Sequence, residues 1–237
     1  MRSQPRNSLN EVPGGEAIAP DPILAGMSPT SRSPYERALG SQVAQLHPVL
    51  QRYFAAIPEG SVGIGEGIFD CFGTDRRWLR PVLAILGRCH VIIPGMHSQV
   101  PFRVENRTVD GAQTATRTLN LKSGPWSMVD AVSLSRSGRV VDVLGRPAVV
   151  DADFDVATVD GGLSLRSRSV AVRLGVTGRL GRIRLPLPSF IRPVIVLSER
   201  FDAEAAHQRV DLTVDMPAVG RIYQYRGTFT YRIEEAK

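Results

Sequence analysis

The segment RIYQYRGTFTYRI, Arg221 to Ile233, sets aromatic residues at alternate positions. Successive side chains of an extended chain point to opposite faces. Tyr223, Tyr225, Phe229, Tyr231 and Ile233 therefore share one face, with Gly227 in their row, while Gln224, Arg226, Thr228, Thr230 and Arg232 share the other. Such a row builds either a packed aromatic core or one wall of a cavity, where tyrosine hydroxyls act as polar handles in apolar surroundings. On the cavity reading, the candidate ligand-binding residues are Trp126, Tyr223, Tyr225 and Phe229 as walls, with Arg117 and Arg226 as charged handles. A glycine inside so long a strand marks a bulge, a bend or the close approach of another group, and Gly227 has that position.

Other chemistry-bearing residues lack the spacing that chemistry needs. There is no G-x-S-x-G elbow, no H-E-x-x-H and no phosphate-binding loop with its lysine. Gly63, Gly65 and Gly67 in GIGEGIF miss the G-x-G-x-x-G spacing of a dinucleotide loop. Cys71, Cys89, His90 and His97 form no C-x-x-C pair, so the cysteines read as small hydrophobes rather than metal ligands. His47 precedes Pro48 at a helix junction, where a local hydrogen bond is expected. No catalytic residue, metal ligand or cofactor is nominated. Asp151, Asp153 and Asp155 alternate with Val150, Ala152, Phe154 and Val156. In a hairpin that pairs Phe154 with Leu165 and Val156 with Leu163, Asp153 lies opposite Arg166 and Asp151 opposite Arg168. The acidic row then reads as a charge ladder, not a cation site.

Charge and composition narrow the partners. The net charge is +6, carried almost wholly by arginine, since only Lys122 and Lys237 are lysines. The excess is too modest to argue for nucleic acid. Seven arginines and no acid occupy Gly161–Ser198, a band that reads as a solvated face, with anion binding as the alternative. Within it, RLPLP alternates like a strand, but Pro186 and Pro188 lack an N–H and confine it to an edge. Two cysteines make no disulfide framework, no apolar run approaches a membrane span, and MRSQPRNSLNEVPGG lacks a secretory apolar core. The expected location is cytoplasmic.

These residues need elements to position them. Residues 1–32, rich in Pro, Gly and Ser, are expected to be a disordered tail, with the true start left open. A single domain is expected over 33–237. It opens at SPYERALG, where Ser33, Pro34 and Glu36 form a capping box with proline at the first helical position. Tyr35, Leu39, Val43 and Leu46 follow at helical spacing, and a second helix starts near Pro48. GSVGIGEGIFD is extended or bulged, and DRRWLRPVLAILG is a third helix with Trp78, Leu79, Val82, Leu83 and Leu86 as its apolar stripe. From Pro101 the period becomes two. Ten strands are expected, at 101–108, 113–121, 126–136, 139–144, 148–158, 163–174, 179–187, 193–201, 208–216 and 221–233, joined by short turns such as Asp160-Gly161. Short turns require antiparallel neighbours. The fold class is α+β: short N-terminal helices packed on a large, strongly curved antiparallel β-sheet, a half-barrel or barrel, lipocalin-like or helix-grip-like. Curling removes edges and creates an interior.

SPYERALG…LHPVLQRYF, GEGIF, VPFRVENR, TATRTLNL, RLPLPSFIRP and GRIYQYRGTF occur in this order. The run resembles the bacterial family called domain of unknown function 4166, over about residues 33–233. Leu185–Pro188 and Tyr225–Gly227 are its most telling pieces. At 114–119 the sequence departs from the pattern: Ala115 or Thr116 stands where a tryptophan is expected and Leu119 where a phenylalanine is expected. The resemblance implies an accessory domain, found alone or at the end of longer chains, and carries no activity. The expected function is a non-catalytic module that binds an apolar or amphipathic small molecule inside the curved sheet. The alternatives are an interaction domain for a protein partner such as an oxidoreductase, and an enzyme whose site has no recognisable motif. Oligomeric state is left open.

Overall fold

A computed structural model describes residues 32–175 and 182–236. The expected tail lies almost wholly outside the described residues. Strands β1 (Ser61–Gly73), β2 (Met96–Val109), β3 (Ala112–Leu121), β4 (Gly124–Leu134), β5 (Val140–Leu144), β6 (Val150–Val159) and β7 (Gly162–Gly175) are followed by β8 (Arg182–Pro186), β9 (Val194–Asp202), β10 (His207–Met216) and β11 (Gly220–Glu235). They pair antiparallel in the order β6-β5-β4-β3-β2-β1-β11-β10-β9-β7, and β7 returns to β6. The ten strands thus close a lipocalin-like barrel. β8 continues along the β7 edge that β9 leaves after Arg166, pairing from Ala171↔Pro186 to Gly175↔Arg182. That is the edge position its proline requires.

The short helices lie at the barrel's two ends. α1 (Pro34–Leu39) and α2 (Pro48–Phe54), with a 3-10 turn over Gly40–Gln45 between them, cover one end. The capping box forms as the residue types demand: Glu36 N–H donates to Ser33 Oγ at 3.1 Å, and Ser33 N–H donates to the Glu36 carboxylate at 2.7 Å. His47 accepts from Val49 N–H through Nδ1 at 3.3 Å and stacks on Phe201, while its own N–H is bound by Gly161 O at 2.8 Å. α3 (Arg80–Arg88), preceded by a 3-10 turn over Arg77–Leu79, lies at the opposite end, with Pro81 in its first turn. Its buried stripe is narrower than the sequence spacing suggests. Leu79 and Leu83 are buried, but Trp78 and Val82 are more than half exposed. Trp78 and Val82, four residues apart, instead share an outward face with Ile85.

β1 is an extended strand with a bulge, as expected of the glycine-rich segment. Its inward-facing glycines leave room for side chains of its neighbours. A Cβ at Gly67 would lie 2.0 Å from the Thr228 carbonyl oxygen. Gly227 shows the close approach anticipated for it: a Cβ there would lie 2.4 Å from Ile68 O, where β1 shifts register between Phe69 and Cys71. That bulge is on β1; β11 has a separate one at Ile222, where Val214 pairs with Tyr223 and Asp215 with Arg221.

The β6–β7 hairpin corrects the expected register. Val156 pairs with Leu165 and Asp155 with Arg166, while beyond a bulge at Asp153/Phe154 the partner of Asp153 is Ser169. The turn decides this. Asp160 and Gly161 both have positive φ, 48° and 74°, and bring Val159 directly opposite Gly162. A two-residue turn of this type matches strand twist and fixes the pairing two residues from that assumed by matching side chains. The division into an apolar inner face and a charged outer face survives, but the ion pairs change. Arg168 binds Asp155 at 2.6 Å, Arg173 binds Asp151, and Arg184 binds Asp151 at 2.8 Å.

Candidate functional site

Tyr53, Phe69, Phe72, Phe102, Tyr223, Tyr225 and Phe229 pack together inside the barrel, with neighbouring ring centroids 4.0–6.0 Å apart within this group. The inward row of β11 fills the β1–β2 side of the barrel in this way. The other side is hollow. A cavity of about 650 Å³ runs between α1–α2 and α3, within the volume range of small-molecule sites. Most of its wall is aliphatic, including Val132, Val140, Val170, Leu165, Leu197 and Leu212. This follows from a chain that alternates Val, Leu and Ile along its strands and is poor in aromatics.

One region of the wall is polar. Arg117 on β3 donates to Asp130 Oδ2 on β4 at 2.7 Å, and the Asp130 side chain is only 7% exposed. Asp142 on β5 and Glu199 on β9 also line the cavity, as do Tyr35 of α1, Tyr53 of α2 and Tyr225. Asp130 Oδ1, Asp142 Oδ1 and Glu199 Oε2 are buried without hydrogen-bond partners. So are the side-chain oxygens of Asn106 and Gln113, on the same wall. Buried polar atoms ordinarily find partners, so this concentration on one surface is unusual.

Burial shapes the ionisation of the cluster. Loss of solvent pushes the Glu199 carboxyl from 4.5 up to about 8, against the pull of Arg117. Asp142 is also held well above the ordinary carboxylate range, first by burial and then by the charge of Asp130. The hydroxyls of Tyr35, Tyr53 and Tyr225 are likewise pushed up, chiefly by burial. At neutral pH the cluster therefore holds one internally balanced pair, Arg117 with Asp130. Beside it stand Glu199, which favours its protonated form, the raised carboxyl of Asp142, and phenols that can both donate and accept.

The residues expected to form a site fall in different places. Arg117, Tyr223 and Tyr225 line the cavity. Tyr223 also accepts a hydrogen bond from Ile93 N–H at 3.4 Å, tying β11 to the segment after α3. Phe229 is buried in the aromatic cluster, beside a void of about 20 Å³. Trp126 stands at the α3 end, where its indole N–H donates to Gly87 O at 3.3 Å. Arg226 is on the outer face, its side chain 67% exposed and bound to Asp211 at 2.6 Å. Asp130, Asp142, Glu199, Tyr35 and Tyr53 were not singled out from the sequence. Three of them carry a legible signal: Met128-Asp130-Val132, Val140-Asp142-Leu144 and Leu197-Glu199 each put one acid into an otherwise apolar alternating row. Among the described residues, no group of three or more His, Cys, Asp or Glu side chains is arranged to hold a metal ion.

The fold and interior together define a class: a closed antiparallel barrel with an aliphatic chamber and a polar wall. The chain belongs to the family described as Domain of unknown function (DUF4166), whose profile matches residues 46–229. No curated protein and no solved structure matches it.

Proposed function

We propose that this protein is a non-catalytic module that binds an amphipathic small molecule inside the barrel. The apolar part occupies the aliphatic chamber, and an uncharged, oxygen-bearing head group meets Arg117, Asp130, Asp142 and Glu199. The observation that carries the reading is the set of five unpartnered buried side-chain oxygens on the wall of a 650 Å³ cavity. Leaving such groups without partners is costly, and a hydroxyl or carbonyl head group would satisfy several of them at once. A hydroxyl can donate to Asp130, and protonated Glu199 can donate to a carbonyl. A cationic head would have to ionise Glu199 inside the chamber, and an anionic head would compete with Asp130 for Arg117.

Native mass spectrometry of the purified full chain tests this. The expected result is a mass increment that solvent extraction removes and that Arg117→Met reduces. A chain that carries no small molecule, and that fails to retain monoacylglycerol or a fatty alcohol offered in excess, overturns the reading.

A further inference from the structure

The cavity reaches the surface at the α3 end, where Val82 and Ile191 both line it and are 54% and 40% exposed. The surface around this opening is unusually apolar. Trp78 and Ile85 share the outward face of α3 and its preceding turn with Val82, at 57% and 62% exposure, and Phe190 in the loop after β8 is 73% exposed. Single exposed hydrophobes need no explanation, but five on two elements that bracket one opening form a patch.

The charge around the patch has one sign. Arg77, Arg80 and Arg88 are exposed on the α3 side, and Arg192 follows Ile191. No acid occurs between Arg76 and Val104, or between Gly161 and Ser198, so both rim elements come from acid-free stretches. The nearest acid before α3 is Asp75. Exposed Trp and Phe beside arginine, without acids, fit the interface of an anionic bilayer, where aromatic rings settle at headgroup depth and basic side chains meet lipid phosphates.

We propose that this rim docks on an anionic lipid surface and presents the mouth of the cavity to the bilayer. An amphiphile could then pass between membrane and chamber without crossing water. The proposal deepens the cavity reading and rests on it for its purpose. Vesicle binding and ligand retention are measured separately, so either can fail alone. A lipid surface is favoured over a protein partner because the exposed apolar side chains bracket an opening and lie on two stretches that carry arginines and no acid. A protein interface would ordinarily include acceptors for those arginines.

The test is co-sedimentation of the full chain with phosphatidylcholine vesicles, with and without phosphatidylserine. Binding is expected only to the phosphatidylserine vesicles, with weakening by salt and a blue shift of tryptophan fluorescence that Trp78→Phe abolishes. Arg77→Ala and Arg80→Ala should each weaken binding about fivefold, and Phe190→Ser should weaken it at least as much. These side chains are exposed, so melting temperatures should be unchanged. A variant that melts early is replaced by Arg77→Gln or Phe190→Leu. No binding to either vesicle, binding indifferent to phosphatidylserine, or binding that survives both Phe190→Ser and Arg80→Ala overturns the proposal. Self-association through Phe190 in the absence of vesicles also overturns it.

Discussion

Glu199→Gln isolates the buried carboxyl on which the polar wall turns. Burial raises its folded-state pKa from 4.5 to about 8. Between those values the folded protein keeps the proton that the unfolded chain has released, so folding takes up a proton. Raising the pH therefore disfavours the folded state across that window, with no further effect above it. The full displacement corresponds to about 5 kcal/mol, at 1.36 kcal/mol per pH unit. That figure is a ceiling, because any solvent reaching the chamber reduces it. Glutamine has nearly the same shape and does not titrate. Urea unfolding of both proteins, at a series of pH values from about 5 to about 9, should show the variant gaining stability over the parent as pH rises. The gain should grow by up to about 1.4 kcal/mol per pH unit until about pH 8 and then level. Asp142 carries the same sign of dependence in both proteins and largely cancels from the difference. A difference that stays flat over the window, or shrinks as pH rises, refutes the burial of Glu199 in a poorly solvated wall.

Two further substitutions separate packing from binding. Tyr223→Phe removes the acceptor of the Ile93 N–H bond and should cost about 1 kcal/mol in denaturant unfolding. Tyr225→Phe should change stability by less than about 0.5 kcal/mol, yet lower retention of the bound amphiphile; a stability loss with unchanged retention would place this hydroxyl in the packing alone. Gly67→Ala, which strand propensity alone would favour, should instead destabilise by about 1–3 kcal/mol, because the new methyl meets a backbone carbonyl that cannot move aside. A thermal scan in which this variant melts at or above the parent temperature would rule out the close β1–β11 approach.

Much of the architecture was legible along the chain because it depends on local rules. Strict alternation from Pro101 onward reflects strands with one face buried; β2 starts five residues earlier than expected, at Met96, the start of the strand expected at 179–187 lies outside the described residues, and the other bounds from β3 onward agree within two residues. Ser33, Pro34 and Glu36 announced a helix start because capping involves residues three apart. The prolines of RLPLP announced an edge because a missing N–H acts wherever the strand lies. The inward row of β11 followed from the two-residue period alone.

Tertiary structure decided what depends on distance and register. The β6–β7 pairing turned on the backbone of Asp160-Gly161, which a positive-φ turn fixes more firmly than matching of side chains across the strands. Trp78 and Val82 obeyed helical spacing but not burial, since spacing says which residues share a face and not what that face meets. The polar wall draws Arg117, Asp130, Asp142 and Glu199 from four strands that only barrel closure brings together. Each acid stands out locally as a single charge in an apolar row, but nothing along the chain says that the three meet. Closure places these acids around one chamber and removes them from water, and desolvation pushes the carboxyls of Asp142 and Glu199 upward.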